Sequence, residues 1–399
     1  MFDELLVVEL ANVLAGPAVG MFFAELGSRV VKVENPRTGG DVTRSWRTGE
    51  EDESAPAAYF SCVNWGKESI AVDLGSPAGH RVVQDLVAVA DVVVASYKPG
   101  DAARLRVDAE SLQRLNPRLI YAEITAYGPS DGRVGYDAVI QAESGFTSMN
   151  GTLDSGPLKM PVALMDLMAG HQLKAGVLAA LLRRERTGRG GRVSVSLIES
   201  GLATLANQAA NYLMTGVVPG RLGSGHPNIV PYGSSYRCAD GGYIVLAVGT
   251  NRQFSRLCAC LESDDLAEDP RYVTNVGRVK YRSILEPILE SRMARFRSED
   301  LLKRLRNEGV PAGPVLDVGE AIDRAPSASL VLRATSGASA VRTAAFTLDS
   351  APPGALTPPP ELGADGQGVL SGLLGYGEDQ IAELVRTGAV GVANKRGCL

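Results

Sequence analysis

An aspartate interrupts an otherwise apolar helical stripe at position 166. Over 161–186 the sequence runs PVALMDLMAGHQLKAGVLAALLRRE and on to Arg186. The positions four, seven and eleven residues after Asp166 are Gly170, Leu173 and Val177, all on its face at a 3.6-residue period. Gln172, Lys174 and the Arg183–Glu185 cluster are expected on the polar side. Pro161 in the first turn would put Asp166 near the helix N-terminus, where the helix dipole and free amides are expected to keep it ionised. A carboxylate on such a face is unfavourable unless hydrogen-bonded or used. Two roles fit: a cap or ion-pair partner, or a desolvated nucleophile facing a cleft. Gly170 would let a ligand or another backbone come close.

The other reactive side chains form no comparable pattern. Histidines occur only at 80, 171 and 226, too few and too scattered for most zinc hydrolase sites. Cysteines at 62, 238, 258, 260 and 398 are odd in number and lack a CxxC spacing, which fits a reducing, cytoplasmic setting. Cys258 and Cys260, two apart on an expected helix, do not face each other. No metal site is expected. Gly16 and Gly20 make a G-x-x-x-G after the first strand, with Pro17 where a first-turn proline belongs. The G-x-G-x-x-G nucleotide fingerprint is missing, so these glycines read as a tight turn and close packing.

The elements that must position Asp166 follow a strand–helix rhythm. Apolar runs at 6–8, 30–34, 69–74, 91–96 and 119–127 alternate with helical stretches, among them 77–89 and 109–115. That alternation predicts an α/β fold: a Rossmann-like large domain with a mostly parallel sheet. VSVSLIES (193–200) reads as a strand opening, and the Ala-rich run to 215 as another helix. A Gly-, Pro- and Ser-rich stretch at 216–235 marks the crossing into a smaller α/β domain. Helices are expected there at 251–261 and 278–296, with another starting at Ser298 and stopping at Gly309. Residues 324–364 are poor in helix signal and contain PPGALTPPP, and a last helix is expected near 376–386.

The 399 residues are 45% hydrophobic and 21% charged, with 40 Lys and Arg against 45 Asp and Glu. A net charge of −5 without a basic run argues against nucleic acid as partner. Only eight of the basic residues are Lys, so an anionic ligand would mostly meet Arg. Apolar stretches break before about 18 residues, so no membrane span is expected. Asp3 and Glu4 precede the first apolar run, so it reads as a strand rather than a signal peptide.

An ordered series of motifs resembles the class III coenzyme A transferases, the CaiB/BaiF family. It comprises VLAGPAVGMFFAELGSRVVKVENP (13–36), Gly40-Asp41, Arg44, NWGKESIAVDL (64–74), ADVVVASYKPG (90–100), LNPRLIYAEITAYG (115–128), GYDAVIQAESG (135–145) and PVALMDLMAG (161–170). RLGSGHPNIVPY (221–232), DGGYIVLAVGTNRQF (240–254) and GVPAGPVLDVGEA (309–321) continue it, while 324–364 departs from the family pattern. The resemblance implies an obligate, interlocked homodimer. Each chain would have a large domain from 1–215 and 326–399 and a small one from 216–325.

The resemblance places the family's nucleophile on Asp166. It implies coenzyme A contacts at Val13, Ala15, Ser96, Tyr97, Arg104 and Tyr136, with Arg37, Arg44, Lys67 and Lys98 as candidates for phosphate charge. Two family lysines are Gly75 and Val134 here, and the glutamine that holds the acyl oxygen in formyl-CoA:oxalate transferases is Leu14. Backbone amides around 13–17 are the candidate oxyanion donors. Leu14, Tyr136 and Gln141 are candidate substrate neighbours. His226 and Arg221 are candidates for the far carboxylate of the acceptor, although HPN also reads as a turn. No tightly bound cofactor is implied, since the coenzyme A thioester is the substrate and carboxylic acids its partners.

The same resemblance leaves a racemase and a non-catalytic acyl-CoA-binding dimer as alternatives. The racemases carry a histidine in a loop written GHD, and this chain has Gly135-Tyr136-Asp137. A tyrosine near pKa 10 shuttles protons poorly at neutral pH, which favours the transferase. RLGSGHPNIVPY resembles the dicarboxylate branch, implying succinyl-CoA as donor. The acceptor would be oxalate, malate, citramalate, itaconate, mesaconate or glutarate.

Overall fold

A computed structural model describes residues 2–325, 328–349 and 354–391. Cys398 and part of the proline-rich segment, 352–353, lie outside the described residues. The chain divides into two compact units. One contains 1–144, 162–204 and 326–399, and the other 145–161 and 205–325. The segments 145–161 and 205–215 thus group with the smaller unit, whereas the composition shift at 216 suggested a later crossing. The apolar residues of 207–215 gave no sign of that, because a helix of either unit has the same pattern.

The first unit is built on a seven-stranded sheet. Six strands run parallel: β1 (Leu6–Leu10), β2 (Arg29–Glu34), β3 (Lys67–Val72), β4 (Val92–Ala95), β5 (Ile120–Thr125) and β6 (Gly191–Ser196), in the order 3-2-1-4-5-6. Val7 lies opposite Val30 of β2 and Val92 of β4, so β1 is central. Every residue of β1 and β4 is buried, Glu9 included, as central strands covered on both faces must be. A short strand, Val390–Gly391, closes the β3 edge antiparallel.

Helices cover both faces. The first, α1 (Ala15–Glu25), follows β1 directly and is wholly buried. The helix Pro77–Val89 starts as its sequence dictates, with Pro77 in the first turn and the Ser76 hydroxyl accepting the Gly79 N–H. Its Val82, Val83, Leu86 and Val87 join Leu6, Val8 and Val31 in one core. The expected strand opening at 193 is shorter than its apolar run: β6 ends at Ser196, and Leu197–Thr204 is a helix.

The second unit has a three-stranded antiparallel sheet, β7 (Tyr232–Arg237), β8 (Tyr243–Ala247) and β9 (Ala312–Pro314). Phe254 and Leu257 of the helix Asn251–Cys260 pack in its core with Leu285 and Leu289. The single helix expected over 278–296 is two, Asn275–Lys280 and Arg282–Met293, broken at Tyr281. Arg278, in the first of them, is fully buried and donates to the Val230 and Tyr272 carbonyls. Cys258 and Cys260 are both buried thiols.

Candidate active site

Asp166 sits in the first turn of the long helix Leu164–Thr187, which α1 crosses. A Cβ placed on Gly170 would lie 3.2 Å from the Ala15 carbonyl oxygen, so this glycine lets the two helices approach. Lys174 breaks the expected division of faces. It is buried rather than on the polar side, with its ammonium 5.0 Å from the centre of the Phe22 ring.

The Asp166 carboxylate is 8% exposed, and none of the hydrogen bonds among the described residues reaches it. Burial, and then the neighbouring charge of Asp137, push its pKa up to about 7. The helix terminus therefore does not hold it ionised as expected. The physical reason is that Asp137 takes the amide: its Oδ1 accepts the Met165 N–H at 2.7 Å. Asp137 is fixed in turn by Gln141, whose Nε2 donates to Asp137 Oδ2 at 2.7 Å and to the Val162 carbonyl at 3.1 Å. Gln141, expected as a substrate neighbour, is fully buried in this support.

Tyr59 is close enough to Asp166 to feel its charge. Its phenol is pushed up to about 12 by burial and by the Asp166 charge, and its ring meets Trp46 edge-on at 5.1 Å. Tyr59, Leu14, Val13, Ala163 and Leu167 border one apolar cluster. Tyr59 escaped the sequence reading because its helix, Ala58–Ser61, is a single turn and too short to show a period.

The turn from β1 into α1 is tightly specified. Val13 has φ 72°, a left-handed conformation that β-branched residues rarely adopt. Its N–H points at the Asp41 carboxylate, 3.2 and 3.3 Å from the two oxygens. Ala18 N–H makes the bond to Leu14 O, so the amides of Leu14, Ala15 and Gly16 precede the intrahelical ladder. Of the expected donors over 13–17, Val13 is thus engaged and Pro17 has no N–H. Leu14, Ala15 and Gly16 remain.

A cleft of about 440 Å³ opens over the C-terminal ends of β1 to β4. Asn12, Arg37, Gly75, Tyr97 and Arg104 line it. It lies where β1 separates the two directions of strand order, the usual ligand position in such sheets. Arg37 pairs with Asp73 at 2.6 Å and Arg104 with Asp101 at 3.1 Å, both with largely exposed side chains. Ser96 Oγ accepts the Asn12 N–H at the same end of the sheet. Lys98 lines a neighbouring cavity that shares Tyr97 as a wall.

Two expected phosphate ligands prove to be internal. Arg44 donates to both Glu34 oxygens at 2.9 and 2.7 Å and to the Pro360 carbonyl, and lies over the Phe60 ring. Lys67 is fully buried, bonded to Glu9, Asn64 and the Pro17 carbonyl. Tyr136 is exposed at the start of the helix Asp137–Glu143.

Arg221 and His226 belong to the second unit. Arg221 donates to the Thr152 and Ser148 carbonyls. His226 Nδ1 accepts the Asn228 N–H at 3.1 Å, the turn that HPN suggested, and its ring meets Tyr232 edge-on. No group of three or more metal-ligating side chains occurs among the described residues. No helix among them is long and apolar enough to cross a membrane.

Comparison with known proteins identifies the family. The family model CoA-transferase family III matches residues 2–366. The succinate–glutarate CoA-transferase of Agrobacterium fabrum is 41% identical over 321 residues, covering 79% of this chain and 80% of that one. The succinyl-CoA:glutarate CoA-transferase of Mus musculus is 35% identical over 397 residues, 96% of this chain and 89% of its own. The crystal structure of a CAIB/BAIF family protein from Brucella suis superposes with a TM-score of 0.80 at 37% identity, covering 93% of this chain and 98% of that one. The chain belongs to CoA-transferase family III and is a class III coenzyme A transferase.

Proposed function

We propose that the enzyme moves coenzyme A from succinyl-CoA to a dicarboxylate of the glutarate type, with Asp166 as the covalent nucleophile. One observation carries the reading: a buried carboxylate with no hydrogen bond among the described residues, in the first turn of a helix that α1 crosses at Gly170. The glutarate relatives support the choice of acids.

An Asp166 oxygen attacks the thioester carbonyl, and the C–S bond breaks. Coenzyme A leaves as thiolate and an acyl–aspartyl anhydride forms. The thiolate then attacks the Asp166 carbonyl carbon, releasing the donor acid as carboxylate and leaving an aspartyl thioester. The acceptor carboxylate repeats both steps in reverse, which restores Asp166 and yields the new acyl-CoA. The Leu14, Ala15 and Gly16 amides receive the oxyanion, supported by the N-terminus of α1. Burial strips Asp166 of solvating donors, which raises its nucleophilicity once ionised and keeps water from the anhydride. The coenzyme A diphosphate lies in the cleft over β1 to β4, with Arg37 and Arg104 at its rim and the base near Tyr97.

The active form is a homodimer of two such chains. Leu213 and Met214, with Val217 and Val218 just after them, are 68–86% exposed, an apolar run that a lone chain would leave in water.

Incubation with succinyl-CoA and a panel of mono- and dicarboxylic acids, read by mass spectrometry, tests the reaction. A new acyl-CoA is expected with glutarate, and Asp166→Ala should reduce its formation by at least about a thousandfold. No product from any acid would sink the succinyl-donor reading. α-Deuterium uptake without a second acid would favour the racemase instead.

A further inference from the structure

Four charged side chains lie under the β1–α1 turn: Glu9, Lys32, Asp41 and Lys67. All four are at most 3% exposed. Lys32 Nζ is 2.9 Å from both Glu9 Oε1 and Asp41 Oδ2, and Lys67 Nζ is 2.8 Å from Glu9 Oε2. A buried network of this kind adds little net stability by itself, so its value lies in what it fixes.

Three of the four grip the turn, each at a different point, and Glu9 joins the two lysines. Lys32 donates to the Ala11 carbonyl at 2.8 Å. Asp41 accepts the Val13 N–H on both oxygens. Lys67 donates to the Pro17 carbonyl at 2.9 Å. The three contacts bracket Leu14, Ala15 and Gly16. Asp41 is itself oriented from a second side by Thr43, whose N–H and hydroxyl reach its Oδ1 at 3.0 and 2.8 Å. A valine at φ 72° relaxes towards negative φ unless something holds its amide, and that rotation would re-aim the amides that follow.

We infer that Asp41, locked by Lys32 and Thr43, is a positioning residue that holds Val13 left-handed and thereby aims the Leu14–Gly16 amides at the reacting carbonyl. Asp41 touches neither substrate nor Asp166 in this role; it acts through the backbone. The inference rests on the proposed transfer reaction and on those amides as oxyanion donors.

Asp41→Asn keeps the side-chain size but removes the charge and one acceptor oxygen. Hydrogen–deuterium exchange of segment 11–16 should quicken at least about tenfold in this variant. The kcat for coenzyme A transfer should fall about ten- to a hundredfold, with KM for succinyl-CoA changed less than threefold, as loss of one aimed donor set predicts. Adding Val13→Gly to Asp41→Asn removes the steric objection to positive φ and should raise kcat again by threefold or more. Thr43→Val, a milder change that removes only the hydroxyl donor, should shift exchange and kcat in the same direction by about threefold. It serves if Asp41→Asn does not fold.

Unchanged exchange in these variants would overturn the clamp. Faster exchange with kcat within twofold of the parent would overturn its link to catalysis, as would a double variant no better than Asp41→Asn. A parent protein that transfers coenzyme A to no acid would instead overturn the transfer reaction, and the exchange measurement alone would then decide the clamp.

Discussion

At the scale of single residues, Asp166 has to be ionised to attack, so transfer should rise with pH through about 7. Asp137→Asn removes the neighbouring charge and keeps an oxygen for the Met165 amide, so the inflection should move to lower pH. A pH profile of kcat on both proteins checks this. The linkage to stability has the opposite sign to that of a salt-bridged carboxylate. Asp166 binds its proton more tightly folded than unfolded, so its contribution is present below about pH 4 and is lost as pH rises through about 7. Asp166→Asn should therefore be the more stable protein at pH 8, by on the order of 2–4 kcal/mol, with little difference at pH 4. Urea unfolding at the two pH values measures it. The sequence marked Asp166 because a charge on an apolar stripe stands out at a fixed period. It held no comparable signal for Asp137, which acts through space, or for Tyr59 in a single helical turn.

At the scale of elements, glycines set how closely α1 approaches β1 and the long helix. Gly20 leaves room for the Glu9 carboxylate, and Gly16 for the Ala11 methyl group. Gly170 faces the Ala15 carbonyl at 3.2 Å from where a Cβ would sit. Gly170→Val should push the helices apart, destabilise the chain by about 1–3 kcal/mol and lower kcat more than tenfold. Thermal melting beside the transfer assay tests both. The helices near 77–89 and 109–115 were legible from their apolar period, and the structure adds the Ser76 and Asp108 caps that start them. The break at Tyr281 was not, since no glycine or proline stands at that position. In sequence, Lys32 and Lys67 look like ordinary strand or surface charges. Their partners lie on three other segments, and no local pattern reports that.

At the scale of the molecule, the run 213–218 should bring two chains together. Light scattering should give twice the chain mass, and Leu213→Asp with Met214→Asp should shift the protein towards monomer or aggregate. A parent that stays monomeric would remove the dimer from the proposal. The segment 324–364, which matched no expected pattern, is tied closely to the first seventy residues. Glu25 accepts the Thr343 and Ala344 amides, the Gly66 N–H reaches Thr357 O, and Arg44 reaches Pro360 O. Asp365 accepts the Ser69 N–H and Val390 pairs with Val72. Such ties link residues some 300 positions apart, so composition could reveal a linker but not its destination.

That last pairing has a consequence for synthesis on the ribosome. β3 emerges early, yet the strand that covers its outer edge is made only long afterwards. Until then Ala71 and Val72 present unpaired peptide groups on a growing chain, and an open parallel edge recruits other strands. A chain stopped after Gly388 should therefore be captured by chaperones or precipitate where the 399-residue chain stays in solution, and pelleting of the two translation products compares them directly. For this enzyme the hazardous interval is the time taken to elongate from the third strand to the last.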